Sequence, residues 1–420
     1  YDFEYAWKKI LSPNFSTPFA YLFYPIKNAR LAREGKVPIN DIGVSVIDDR
    51  TLQVQLEHPT PYFLELTAFT LYAPVNHRID KIHPNWAGEE GKGFVCNGPF
   101  QLKKRSTTRG YELVKNPFFW NEKTIELDQV LFTQNNSYTS LQMFANDEID
   151  WFGRPLCPWD ATRASGADKI ETTSTPRIFW CVFNVRRFPF TNPKLRRAFA
   201  YGVNRKMLIK ELSYEGSAAV TPLPFAHTLL RDQGISDGDA DLARLLFQEA
   251  LDEMGIKRED FPVVTMIQTA GEIRSKTAHL IKKQWEELFG IRCNVEAHEW
   301  SIVFDRLTHG EYQIGGMNWN AWINDPNYTL NAFRYAAEKV NFAKWENGEY
   351  QSHLELAERE IDPHRRLDHL KSAEEILLRD MPVIPIYYEV QQFKRKSRLK
   401  VDVHPLTGHV DFSTAKIENT

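Results

Sequence analysis

The sequence predicts an α/β fold whose sheet is largely parallel, in a chain of more than one domain. Two observations carry this. Between Phe261 and Trp319, short β-branched runs alternate with amphipathic helices, and strands of that order need crossover connections. The length, 420 residues, exceeds one ordinary domain and points to two or three.

Taken in order, "YDFEYAWKKIL" sets Phe3, Ala6, Trp7 and Ile10 at helical spacing, and Pro13 stops it. "VSVIDDRTLQVQLEH" reads as two strands about an Asp-Asp turn, with Leu52, Val54 and Leu56 on one face. "GPFQLKKRSTTRGYELVKNP" reads as a second hairpin in which Phe100 and Leu102 answer Tyr111 and Leu113. "NPKLRRAFAYGVNRKMLIKEL" places Leu195, Ala198, Phe199, Val203, Met207 and Leu208 on one helical stripe, with Pro193 near its start. "DADLARLLFQEALDEMGI" is a further helix, closed by Gly255. The alternating series follows: strand "FPVVTMIQT", helix "EIRSKTAHLIKKQWEELFG", strand "IRCNVEA", helix "SIVFDRLTHG", strand "YQIGGMNW".

Ligands of such sheets gather beyond the carboxyl ends of strands. The last strand delivers "MNWNAWINDP", Met317 to Pro326, to such an end. Trp319 and Trp322 are therefore either core filler or the wall of a site.

Composition narrows the function. Net charge is −3 and no basic stripe is visible, which argues against a nucleic-acid partner. No apolar run approaches the length of a membrane span. The chain starts at Tyr1 with neither Met nor a signal peptide, so its start does not give its compartment. Aromatics are abundant, 11 Trp, 16 Tyr and 27 Phe, enough for a core and for flat faces that grip a ligand.

Catalytic signatures are missing: there is no GxSxG, HExxH, GxxxxGK[ST] or GxGxxG. Neither an enzyme nor a cofactor is expected. Cys96, Cys157, Cys181 and Cys293 are scattered, with three pairings open and no zinc spacing, so no metal site is expected either. His298 in "EAHEW" has acids beside it but no second histidine nearby, the pattern of a satisfied or solvent-facing side chain.

Several stretches, in order, resemble the extracytoplasmic solute-binding proteins of family 5, the oligopeptide and dipeptide receptors of ABC importers. These are "YDFEYAWKKILSP", "VCNGPFQLKK" with "YELVKNPFFWN", "LQMFANDEIDW" with Asn146-Asp147 where the family has glycine, "FNVRRFPFTNPKLRRAFAYGVNRKML", "WNAWINDP" and "DMPVIPIYYEV". By that resemblance roughly a hundred residues precede Tyr1 in the family's pattern, including the signal sequence.

The resemblance implies a two-lobed, periplasmic-binding-protein-like clamp of type II with an extra domain, its mixed sheets flanked by helices. Residues 1–75 would belong to the extra domain, 76–176 to lobe I, 177–388 to lobe II, and 389–420 to the return into lobe I. Closure would bury a short peptide or peptide-like ligand in the interlobe cleft and present the protein to the permease subunits of the transporter. The place would be extracytoplasmic, a periplasm or a membrane-anchored lipoprotein, and the protein a monomer.

The same resemblance assigns site residues. Peptides would add as a strand to "YQIGGMNWN", with Gly315 and Gly316 allowing close approach, Asn318 and Asn320 beside them and Trp319 as an apolar wall. The family's acid that pairs the peptide ammonium lies three residues after that tryptophan, and here the position is Trp322. Asp325 is the nearest remaining acid, with the capping of the Asp-Pro turn as its other role. Tyr21 and Tyr24 would line the cleft or pack in the core. Asn341 would meet ligand main chain, and Tyr387 and Tyr388 would lie near the hinge.

Trp322 supports a ligand that is short, modified at its amine or bound in another register. It also supports an alternative, the same fold carrying glutathione, a metal chelate, haem or an oligosaccharide.

Overall fold

The computed structural model describes all residues except 89, 91–92, 107–109, 154–169, 225–226, 231–232, 405–408 and 419–420. In chain order its strands are β1 (Val44–Asp48), β2 (Thr51–Val54), β3 (Phe100–Ser106), β4 (Gly110–Lys115), β5 (Gln129–Phe132), β6 (Trp151–Phe152), β7 (Glu171–Phe183), β8 (Ser217–Ala218), β9 (Val264–Thr269), β10 (Cys293–His298), β11 (Ile314–Asn320), β12 (Val383–Arg395), β13 (Leu399–Val403) and β14 (Val410–Ile417). Two compact units divide the chain. The smaller comprises Tyr1–Ala6, Pro74–Thr175 and Val390–Thr420, and the larger Trp7–Ala73 and Pro176–Glu389. Of the four crossings, those at Thr175–Pro176 and Glu389–Val390 fall inside β7 and β12, and the others lie at Ala6–Trp7 and Ala73–Pro74. Residues 7–73, expected in a domain with its own identity, group with 176–389.

In the larger unit the alternating segment folds as two crossovers. β9 leads through the helix Glu272–Phe289 to β10, its parallel neighbour, and β10 leads through Trp300–His309 to β11 on the other side of β9. The helix Ala240–Met254 begins on Asp239, whose side chain accepts from the Leu242 N–H, and ends at Gly255 with φ +65°. β7 runs antiparallel to β11 over its whole length, from Ile314 opposite Phe183 to Asn320 opposite Arg177. The sheet is therefore mixed. Its helical side buries Phe199, Phe247, Trp285 and Phe289, and the Trp285 indole donates to the Phe199 carbonyl at 2.9 Å.

The expected single stripe from Leu195 to Leu208 is broken. Two helices form, Pro193–Tyr201 and Arg205–Leu212, because Asn204 caps the second by accepting from the Met207 N–H at 2.8 Å. The break turns Met207 outward, 45% exposed, while Leu195, Phe199, Val203 and Leu208 stay buried. Gly202 sits at the break, where a Cβ would come within 3.0 Å of Leu288 and 3.1 Å of Phe289.

In the smaller unit β3, β4 and β5 form an antiparallel meander. Leu102 faces Leu113, as the pattern predicts. In the same register Phe100 faces Lys115; a bulge between Leu102 and Lys104 then shifts the register, so Tyr111 faces Arg105. Asp147, in the pair that replaces the family's glycine, is left-handed with φ +66°, and its carboxylate meets Arg398 at 2.7 Å and Lys396 at 3.2 Å. β13 and β14 pair as a hairpin, and Arg395 is clasped by both oxygens of Glu171 at 2.7 and 2.9 Å.

Cys181 and Cys293 are buried free thiols, each pushed up to about 12 by burial. Cys96 is free as well, and Cys157 lies outside the described residues.

Candidate functional site

The site is built on the last turn of β11. β9 pairs with β11 only from Ile314 to Gly316, while β7 pairs as far as Asn320. Among the described residues, no strand covers Met317–Asn320 on the β9 side. An uncovered edge of this kind accepts an added strand. Alternation puts Trp319 on one face of the sheet and Asn318 and Asn320 on the other.

Trp319 is buried. Its ring stacks on Trp180 with centroids 5.3 Å apart and planes 11° from parallel, and its indole N–H donates to the Thr329 hydroxyl at 2.9 Å. Thr329 belongs to the helix Pro326–Asn331, which Asp325 starts by accepting from the Asn327 N–H. The wall is thus fixed from two sides.

On the other face, Asn318 donates from Nδ2 to a Glu389 carboxylate oxygen. The amide oxygens of Asn318 and Asn320 are buried without a hydrogen-bond partner. Buried acceptors of this kind are costly unless a water or a ligand donates to them. Burial pushes the Glu389 carboxyl up, while Arg177, 3.9 Å away, and Asn318 hold it back.

Beyond β11, Trp322 is 52% exposed, its ring 6.1 Å from Phe69 and 29° from parallel. Asp325 is buried, and beyond its capping role it pairs with Arg366 at 2.9 Å. The Arg366 guanidinium lies over the Tyr62 ring, and the Tyr62 hydroxyl accepts from Asn327 Nδ2 at 2.9 Å. A ligand ammonium at Asp325 would share that carboxylate with Arg366. Gly315 and Gly316 serve the interior: a Cβ on Gly315 would lie 2.5 Å from Leu307, and one on Gly316 3.3 Å from Phe179.

Tyr21 and Tyr24 come to a cavity of about 420 Å³ within the larger unit, joined there by Ile323 and Tyr328 next to the Trp319–Asp325 segment. Asn318, Trp319, Asn320, Trp322 and Asp325 do not line that cavity; the link to it is Tyr328, whose ring lies 5.7 Å from that of Trp319. Three other residues stand apart. Asn341 is buried in a loop, donating to the Trp345 carbonyl at 2.8 Å, with its own amide oxygen unpartnered. Tyr387 stacks on Phe179 at 5.2 Å in the core, and the Tyr388 hydroxyl lies 3.4 Å from that of Thr221 and 3.3 Å from that of Thr228.

Glu389, Tyr328 and Arg366 are missing from the sequence reading. Glu389 lies within the recognised "DMPVIPIYYEV" run and is within reach of the strand alternation. Arg366 lies on a separate helix, and no spacing rule links it to Asp325.

No group of three or more His, Cys, Asp or Glu side chains suited to a metal occurs among the described residues. None of their helices is long and apolar enough to cross a membrane.

A mixed sheet with an open strand edge, aromatic walls and unsatisfied amides is a binding architecture. The chain belongs to the bacterial extracellular solute-binding proteins, family 5, whose model matches residues 1–341. It is 32% identical to the oligopeptide-binding protein OppA of Bacillus subtilis, with 99% of this chain covered and 78% of that protein. It is 29% identical to the dipeptide-binding protein DppE of the same organism, over 99% of this chain and 77% of that one. Among solved structures, the substrate-binding domain of an oligopeptide ABC transporter from Bacillus anthracis superposes with a TM-score of 0.88 at 25% identity. That match covers 100% of this chain and 83% of the other.

Proposed function

We propose that this protein is the peptide-capturing component of an ABC importer. It takes up short peptides outside the cytoplasm, from a periplasm or as a lipid-anchored protein, and passes them as a monomer to the permease subunits. It binds without chemistry and without a cofactor. The observation that carries this reading is the open edge of β11 at Met317–Asn320, beside two unpartnered amide oxygens. A peptide main chain has the alternating donors and acceptors such an edge lacks, and it offers them whatever its side chains are. The family membership and the oligopeptide- and dipeptide-binding relatives support the same solute class.

In this reading residues 76–176 and 389–420 are lobe I, 177–388 are lobe II and 1–75 are an extra domain. The crossings at Thr175–Pro176 and Glu389–Val390 favour the two lobe boundaries. Trp319 walls the ligand, and Asn318 and Asn320 donate to or accept from it.

Trp322 sets how the peptide amine is treated. An indole face holds an ammonium by about 0.5–2 kcal/mol, less than a desolvated carboxylate contributes. Trp322→Asp should therefore strengthen binding of free-amine peptides by about tenfold or more and leave N-acetylated peptides unchanged. Calorimetry on both peptide forms reads this directly. Equal affinities of wild type and variant for the free-amine form would remove Trp322 from amine recognition.

A further inference from the structure

The cavity beside the β11 site has a character of its own. Its wall carries the rings of Tyr21, Tyr24, Tyr62, Tyr328 and Tyr335, together with the carboxylate of Glu338. At about 420 Å³ it lies within the range of small-ligand pockets and has room for a long side chain.

The charges on the wall are unequally matched. Arg334 pairs through its Nη atoms with Glu358 at 2.7 Å and Glu355 at 3.5 Å, its buried Nε left without a partner, and Arg30 pairs with Glu34 at 3.0 Å. The third lining arginine, Arg359, is exposed, where water screens it. Glu338 has no basic group within ion-pairing distance among the described residues. Burial pushes its carboxyl up, and Arg30 and Arg33, from further off, only partly offset this. Its contact is the Tyr24 hydroxyl.

Two of the five rings already hold arginines, Tyr62 that of Arg366 and Tyr335 two more, which leaves Tyr21, Tyr24 and Tyr328 for a further cation. The guanidiniums of Arg30 and Arg334 lie over the Tyr335 ring, 4.3 and 5.2 Å from its centroid. Tyrosine faces attract cations through the ring quadrupole, and the attraction grows as water is removed.

We propose that this cavity receives a cationic side chain of the bound peptide, a lysine ammonium or arginine guanidinium, with the rings of Tyr21, Tyr24 and Tyr328 as its cage and Glu338 as its counter-charge. The inference rests on the peptide-capture reading for the source of the cation, and on the cavity alone for the recognition chemistry. It makes the protein selective for basic peptides while the main chain is held at β11.

The test is calorimetric titration of the whole chain with alanine tetrapeptides carrying lysine at each position in turn, against the same peptides carrying norleucine, an uncharged side chain of similar length. At one position lysine should bind tighter than norleucine by about tenfold or more. Glu338→Gln should abolish that ratio and leave the norleucine peptides unchanged. No lysine preference at any position, or a preference that survives in Glu338→Gln, overturns the proposal.

n-Butylammonium, followed by saturation-transfer NMR, separates this from the reading it rests on. If no tetrapeptide binds but n-butylammonium binds wild type and not Glu338→Gln, peptide capture fails and the cation site stands. If n-butylammonium binds both proteins alike or neither, the cation site fails.

Discussion

Replacing Arg205 with Met is expected to cost the larger unit about 3–5 kcal/mol of stability. Arg205 is fully buried where the second helix of the broken stripe begins. It donates to the carbonyls of Pro385 at 2.6 Å, Val203 at 2.9 Å and Ala200 at 3.1 Å, and its guanidinium lies 3.6 Å from the Asp237 carboxylate. Burial pulls the guanidinium down to about 10, and Asp237 works against that, so the charge persists at neutral pH. Methionine fills much of the volume but donates nothing. Three carbonyls then lose the guanidinium at once, while Asp237 keeps the backbone N–H groups of residues 205 and 206 but loses its counter-charge, and stranding buried acceptors costs more than the pair itself contributes. Because the Pro385 carbonyl belongs to β12, the loss loosens that strand as well as the helix start. Urea unfolding measures the effect, and a loss below about 1 kcal/mol would show that the acceptors find other donors.

Glu374→Gln should act in the opposite sense, and only above acid pH. Glu374 is fully buried on the helix Pro363–Asp380, where burial raises its carboxyl from the ordinary 4.5 to about 7. The Leu229 N–H donates to one oxygen at 3.2 Å, and the other oxygen is buried without a partner. The folded chain thus holds this proton longer than the unfolded chain does. Between about pH 4.5 and 7 the unfolded state binds fewer protons, so stability falls as pH rises, by on the order of 3 kcal/mol in all. The stabilising contribution is complete below the unfolded value and is lost as pH rises through the folded one. Glutamine has no proton to lose. The variant should match wild type near pH 4 and exceed it near pH 8, a gap read from paired urea titrations. Parallel pH profiles for the two proteins would contradict the account.

The legible part of the fold was the part whose physics is local. Crossovers β9 to β11 and the Gly255 terminator follow from periodicity and end chemistry over a dozen residues. The break at Gly202–Asn204 was missed because one apolar stripe spans it. The competing capping bond of Asn204 decides the geometry. The β3–β4 bulge was missed for a related reason, since alternation gives faces but not an inserted residue. At the site, the position of Trp319 at a strand end could be read, but its burial against Trp180 and Thr329 could not. The partners of Asp325 and the mismatch at Glu338 depend on helices distant in sequence, and no motif records them.

The central claim is that the open edge of β11 captures peptide main chain without depending on a carboxylate at position 322. Calorimetric titration with a tripeptide and a tetrapeptide of mixed sequence, each free and N-acetylated, tests it most directly. The account predicts saturable binding of both lengths, with acetylation changing affinity by less than about tenfold, the scale of an indole–ammonium contact. Silence from all four peptides would contradict it and move the solute class away from peptides.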